Sequence, residues 1–232
     1  MIMLLYDHLI KVFNPTLFDI RYRGGIFNLE ETEKNATVKK IELEYHGQLM
    51  TISNSIFNKT DFLFLEDDKV APELPKLQHG CDGVLVVESK GNKYLIFIEL
   101  KSDYTPDNIS KAEKQICASY LRISMLLNGI RDIDLNTYKK CGIIASHPLN
   151  AERMTKLQKK KNTHPEQMSR YDKQCLAFIN NKSFPLRREY ARLYKLPIKD
   201  FMFFDELPTF HFRVNAESTQ GKFKLEDVLK QL

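Results

Sequence analysis

Three charged residues raise the chemical question. Asp82, Glu99 and Lys101 bound two apolar runs, Gly83-Val-Leu-Val-Val-Glu88 and Lys93-Tyr-Leu-Ile-Phe-Ile-Glu-Leu-Lys101, which Ser89-Lys-Gly-Asn92 joins. With the turn centred between Lys90 and Gly91, Asp82 falls opposite Glu99, and the period of two along a strand puts Lys101 on the face of Glu99. Two carboxylates and an ammonium then meet where the apolar strands end. Ionised groups in such a place are costly unless paired or metal-bound. The two carboxylates and the Leu100 main-chain carbonyl form a hard-oxygen donor set suited to Mg²⁺, with Mn²⁺ able to substitute. A bound Mg²⁺ polarises a phosphoryl oxygen and lowers the pKa of an attacking water, which Lys101 would orient or deprotonate. The competing reading is a salt-bridged strand end, in which Lys101 neutralises Glu99 and Asp82 caps a turn before Gly83. A slip of one residue in the turn would undo the pairing.

The surrounding elements must hold these residues. Tyr94, Ile96, Ile98 and Leu100 mark one strand face and Leu95 and Phe97 the other, so both faces approach the core. Residues 103–108, with Pro106, interrupt the pattern, and Ser110 with Glu113 gives a capping-box signature for a helix running to Asn128-Gly129. Ile109, Ala112, Ile116, Ile123 and Leu127 give that helix an apolar face. A further strand is expected from Lys139 to Ser146. Upstream, a helix is expected around Leu4–Phe13, a loop through Arg23-Gly24-Gly25, and a β-hairpin from Thr37 to Ser53 turning at His46-Gly47. A long loop is expected over residues 66–80, which hold Glu66, Asp67, Asp68, Pro72 and Pro75. Downstream of residue 151 the pattern suggests helices and then the aromatic-rich segment Phe201–Phe212. No linker separates it, so residues 1–232 are expected to form one domain, with a core at about 37–146 and a basic extension at 151–232.

Asp82, a hairpin separation and Glu99-Leu100-Lys101 together resemble the PD-(D/E)XK nuclease superfamily, with Cys81 in place of the proline of its Pro-Asp pair. Lys111 and Gln115 share an edge of the following helix. Gln115 with Tyr120 is similar to the Gln-xxx-Tyr helix of RecB-like members, although the tyrosine stands one residue late, which leaves the subfamily open. The resemblance covers about residues 80–146. It implies an α/β fold with a restriction-endonuclease-like core, that is, a central mixed β-sheet flanked by helices, followed here by a C-terminal helical and aromatic extension. It also implies Mg²⁺-dependent hydrolysis of DNA phosphodiesters, with restriction, repair and phage defence as candidate settings. Asp82 and Glu99 would hold the metal with the Leu100 carbonyl, Lys101 would serve the water, and Gln115 and Lys111 would position substrate. The superfamily often adds an acidic residue from an early helix, for which Glu30 and Glu31 are both candidates. The alternative is a non-catalytic nucleic-acid- or protein-binding module that retains the fold.

The charge distribution bears on the partner. With 35 Lys and Arg against 30 Asp and Glu, the chain carries only +5. Residues 153–195, however, hold 12 bases against three acids, a net of +9, while the remainder, 23 bases against 27 acids, is −4. Lys156, Lys159, Lys160 and Lys161 form one basic cluster and Arg187, Arg188 and Arg192 another, with Tyr171, Tyr190 and Tyr194 interspersed. Such a surface attracts phosphate backbones through counterion release, and nucleic acid, with DNA expected, is the partner it suits. The other reading is a solvated helix face.

Four cysteines without a CxxC pair give thiolate metal ligation no local support and are expected to be small buried hydrophobes in a reducing, cytoplasmic setting. His79 lies close enough to Asp82 to touch metal or phosphate, or is simply solvated. His8, His46, His147, His164 and His211 lack zinc-ligand spacing. Phosphate-loop, dinucleotide-binding and serine-hydrolase motifs do not occur. A hydrophobic content of 43% fits a globular chain, and no apolar run is long enough for a membrane span. A homo-oligomer is left open.

Overall fold

The computed structural model describes residues 2–22, 24–31, 35–60, 69–70, 76–131, 133–189, 195–196, 199 and 202–232. It is an α/β structure built on a mixed seven-stranded sheet. In chain order the main sheet takes β1 (Phe18–Arg21), β4 (Gln48–Ile52), β5 (Gly83–Ser89), β6 (Asn92–Leu100), β7 (Tyr138–Ser146), β8 (Phe184–Arg187) and β9 (Glu206–Arg213). Its spatial order is β1-β4-β5-β6-β7-β9-β8, and the β6-β7 and β7-β9 pairs are parallel while the others are antiparallel. A second, three-stranded sheet runs in the order β10 (Gln220–Lys224), β3 (Lys40–Tyr45), β2 (Gly25–Glu30).

The period of two in β6 divides the core. Leu95 and Phe97 pack with Val84, Val86 and Ile144 under α1 (Ile2–Val12), α3 (Pro106–Asn128) and α5 (Arg170–Ile179). Ile96, Ile98 and Leu100 face the other way, against Leu29, Ile41 and Leu43 of the small sheet and against Val228 and Leu229 of α6 (Glu226–Leu229). Both faces of the central strands are thus covered, which is why they read as continuous apolar runs. α2 (Ser55–Thr60) follows β4, and α4 (Ala151–Thr163) follows β7.

The β5-β6 register is the one expected, running from Ser89↔Asn92 to Gly83↔Ile98. Lys90 (φ 50°) and Gly91 (φ 78°) both adopt left-handed backbone, so the loop is a two-residue turn of the I′ kind, whose twist suits an antiparallel hairpin.

Other expectations change. Residues 37–53 do not form a hairpin: β3 pairs with β2 and β10, whereas β4 pairs with β1 and β5. β3 alternates because it buries one face, whereas β4 is covered on both, with Leu49 toward the small sheet and Met50 and Ile52 toward the helices, and the two lie in different sheets. Helix α3 begins at Pro106, with Thr105 as N-cap accepting the Asn108 N–H at 3.4 Å, so Ser110 and Glu113 lie inside the helix. Proline at the first helical position lacks only an N–H that would be unpaired there anyway. The stretch after residue 151 holds the expected helices, α4 and α5, but it is no separate extension, since β8 and β9 extend the main sheet and β10 completes the small one. Tyr190, Arg192, Tyr194, Phe201 and most of the expected 66–80 loop, with its acids and prolines, lie outside the described residues.

Candidate active site

The β5-β6 ladder ends at Gly83↔Ile98, so Asp82 and Glu99 sit one step beyond its last rung, on the helix-covered face. Side chains then link the two strands. The Asp82 N–H donates to Glu99 Oε2 at 3.2 Å, and the Leu100 N–H donates to Asp82 Oδ2 at 2.7 Å. Lys101 Nζ donates to Glu99 Oε1, and its own N–H is tied to Ala145 O of β7 at 2.9 Å. The structure therefore brings Asp82, Glu99 and Lys101 into one hydrogen-bonded cluster.

Glu99 is 1% exposed. Burial, and next the neighbouring charge of Asp82, holds its carboxyl well above the usual range; Lys101 opposes this and Glu31 adds to it. A buried Glu99 beside a half-buried Asp82, partly compensated by one ammonium, has the oxygen chemistry that suits a hard divalent cation. Asp82, Glu99 and the Leu100 carbonyl could hold one. Among the described residues, no three His, Cys, Asp or Glu side chains come together as a ready-made metal cage.

Beside the cluster, on the side of Lys101, opens a cleft of about 540 Å³ that neither Asp82 nor Glu99 lines. Lys101, Lys111, Lys114 and Gln115 line it together with Lys76, His79 and Glu31, so lysines outnumber acids on its walls. Of the two upstream acids left open, Glu31 is the one at the site; Glu30 is exposed and pairs with Lys40 across the small sheet. Glu31 follows a strand, β2, rather than an early helix. Gln115 lines the cleft but also donates through Nε2 to Gly80 O at 3.2 Å, which gives it a task within the protein.

The basic segment is placed elsewhere. None of Lys156, Lys159, Lys160, Lys161, Arg187 or Arg188 lines the cleft. On α4, Lys156 pairs with Glu152 at 2.5 Å and Lys160 with Asp172 at 2.8 Å. Arg187 and Arg188 stand 3.5 and 3.8 Å from Glu206 and Asp205 respectively. Part of the +9 is thus balanced locally. All four cysteines are buried and unbridged, as expected, and burial pushes the Cys81, Cys117 and Cys141 thiols up. Among the described residues, no helix is long and apolar enough to cross a membrane.

Several residues of the site were not singled out by the sequence. Lys114 lies three positions from Lys111 on the same helix edge, a signal available in advance. Lys76 gave none, because only the folded chain brings residue 76 beside α3. No family model, curated protein or solved structure matches the chain. The functional reading therefore stands on geometry and chemistry.

Proposed function

We propose that the chain is a Mg²⁺-dependent nuclease of the PD-(D/E)XK type that hydrolyses phosphodiester bonds in DNA. The observation that carries this reading is the linked trio of Asp82, Glu99 and Lys101, of which Lys101 opens onto a cleft lined by further lysines. Asp82, Glu99 and the Leu100 carbonyl would hold the Mg²⁺, which when bound supplies a Lewis acid for the phosphoryl oxygen and a more acidic water. The protein's own groups supply the rest. Lys111, Lys114 and Lys76 attract and seat the polyanion. Lys101 Nζ, steadied by Glu99, holds the attacking water and offsets negative charge growing on the phosphoryl oxygens. Residues far from the cleft, such as Lys159 and Lys161 on α4, add backbone affinity without sequence preference.

The test is cleavage of plasmid, linear and single-stranded DNA with Mg²⁺ or Mn²⁺. Asp82→Ala and Lys101→Ala should each abolish it; activity untouched by both refutes the assignment. A second reading has its own observation, since both Glu99 oxygens already accept protein hydrogen bonds. On that reading the fold is a non-catalytic binding module, and salt-sensitive nucleic-acid binding survives Glu99→Ala with no metal-dependent cleavage.

A further inference from the structure

Asp82 lies outside the sheet ladder, so something other than strand pairing must fix it. The segment 77–82 that delivers it is gripped from one side by α3. Arg122 Nη1 donates to Leu77 O at 3.1 Å and to Gln78 O at 2.7 Å. Gln115 reaches Gly80 O, and Ser119 Oγ accepts the Cys81 N–H at 2.6 Å. Gln115, Ser119 and Arg122 are spaced four and three residues apart, which puts them in one stripe along the helix. Ser119 is 0% and Arg122 2% exposed. Arg122 also reaches across to α2, donating through Nη2 to Phe57 O and to Thr60 Oγ1, and its guanidinium lies 4.9 Å from the Phe57 ring centre. That ring packs so closely on the segment that a Cβ at Gly80 would collide with it. Buried main-chain groups outside secondary structure need partners, and here the partners are side chains of a single rigid helix.

We infer that Ser119 and Arg122 are positioning residues for the acidic pair, holding the 77–82 segment so that the Asp82 carboxylate meets the Leu100 N–H and faces Glu99. This rests on the nuclease reading, in which those carboxylates hold the metal. A planar guanidinium serves four acceptors on two segments at once, which a lysine ammonium in its place cannot reproduce. Outer-shell contacts of this kind set the affinity of the ligands they orient.

The experiment titrates Mn²⁺ alone into the full-length wild type, Ser119→Ala, Arg122→Lys and Arg170→Gln. Free ion is read by electron paramagnetic resonance, with amide hydrogen exchange over residues 77–82 and plasmid cleavage measured alongside. Ser119→Ala and Arg122→Lys should bind Mn²⁺ at least about tenfold more weakly, with faster exchange at Cys81 and Asp82. Arg170→Gln, which breaks an ion pair on another side of α3, should keep wild-type affinity. If wild type binds Mn²⁺ and cuts DNA while Ser119→Ala and Arg122→Lys bind the ion equally well, the positioning role is overturned and the nuclease reading stands. An equal loss in Arg170→Gln overturns it too, because any loosening of α3 would then suffice. If affinity falls only in Ser119→Ala and Arg122→Lys but wild type cuts no DNA, the positioning role is supported and nuclease activity is refuted. A wild type that binds no Mn²⁺ refutes both. Should Arg122→Lys fail to fold, Ser119→Ala, which removes one oxygen, carries the comparison.

Discussion

Asp82→Asn separates a working site from a mere salt-bridged strand end, because it should leave stability nearly unchanged while function is lost. The substitution preserves shape and an oxygen that can accept the Leu100 N–H, now held at 2.7 Å. It removes one of two negative charges linked through the 3.2 Å contact from the Asp82 N–H to Glu99. Two like charges about 5 Å apart repel by about 3 kcal/mol at an effective dielectric of about 20. Weakening a hydrogen bond from a charged to a neutral acceptor returns about 1 kcal/mol, and losing the attraction of Asp82 for the Lys101 that Glu99 holds offsets much of the remaining gain. The balance is a protein within about 1 kcal/mol of wild type, a change in Tm of no more than about 2–4 °C at this chain length. Over the same change Mg²⁺-dependent plasmid cleavage should fall at least about 100-fold, since a divalent ion loses half its carboxylate charge. Thermal unfolding in a metal chelator and cleavage assays on the same preparation give both readings. An Asp82→Asn protein destabilised by more than about 1 kcal/mol and still cleaving would refute the reasoning: the carboxylate would then be a structural cap.

Two further predictions concern the scaffold. His211 packs against the rings of Tyr104 and Phe178, with Ser146 Oγ 2.9 Å from Nε2; burial, and next the charge of Arg213, pulls its pKa down to about 3. A lowered histidine pKa favours the folded state above the unfolded value of about 6.5 and penalises it as pH falls toward 3, so urea unfolding should show about 2 kcal/mol lost between pH 6.5 and 5, a slope that His211→Gln removes. Glu113→Ala leaves Arg170 and Gln174 without the carboxylate they share at 2.7–2.8 Å, and denaturant melts should show a loss of about 2–4 kcal/mol, the Arg170 side chain being 27% exposed and able to regain water.

The meeting of Asp82, Glu99 and Lys101 at the end of the β5-β6 hairpin was legible because it is local. A two-residue turn with glycine fixes the register, and register fixes which charges meet. What was not legible is long-range or ambiguous in pattern. The alternation in β3 was visible, yet nothing in it says that the strand pairs with β10, about 180 residues away. Phe210 and Phe212 announced an aromatic segment, and they are alternate inward positions of β9 on the face of the small sheet. Thr105-Pro106 looked like an interruption and is a helix start. The choice between Glu30 and Glu31 needed the fold itself, because the two point to opposite sides of one strand end. The +9 segment was real in sequence, but its partners Glu152, Asp172, Asp205 and Glu206 come from several elements.

The cationic face nearest the acidic cluster is consequently a row that composition did not single out. Lys111 and Lys114 sit on the first half of α3, and the same helix carries Ser119 and Arg122 farther along, where they grip the 77–82 segment. On the nuclease reading one helix would therefore perform two tasks: its cleft-side edge would attract the polyanion, and its buried stripe would place the Asp82 carboxylate. The link has a physical consequence. A displacement of α3 relative to β6 would pull on the lysines and on the 77–82 segment alike, whereas Glu99 is held in β6 and Asp82 is tied to both sides, to α3 through its segment and to β6 through the Leu100 N–H. The cluster's sensitivity to perturbation should accordingly concentrate at the bonds that join the helix-held segment to β6, from the Asp82 N–H to Glu99 Oε2 and from the Leu100 N–H to Asp82 Oδ2.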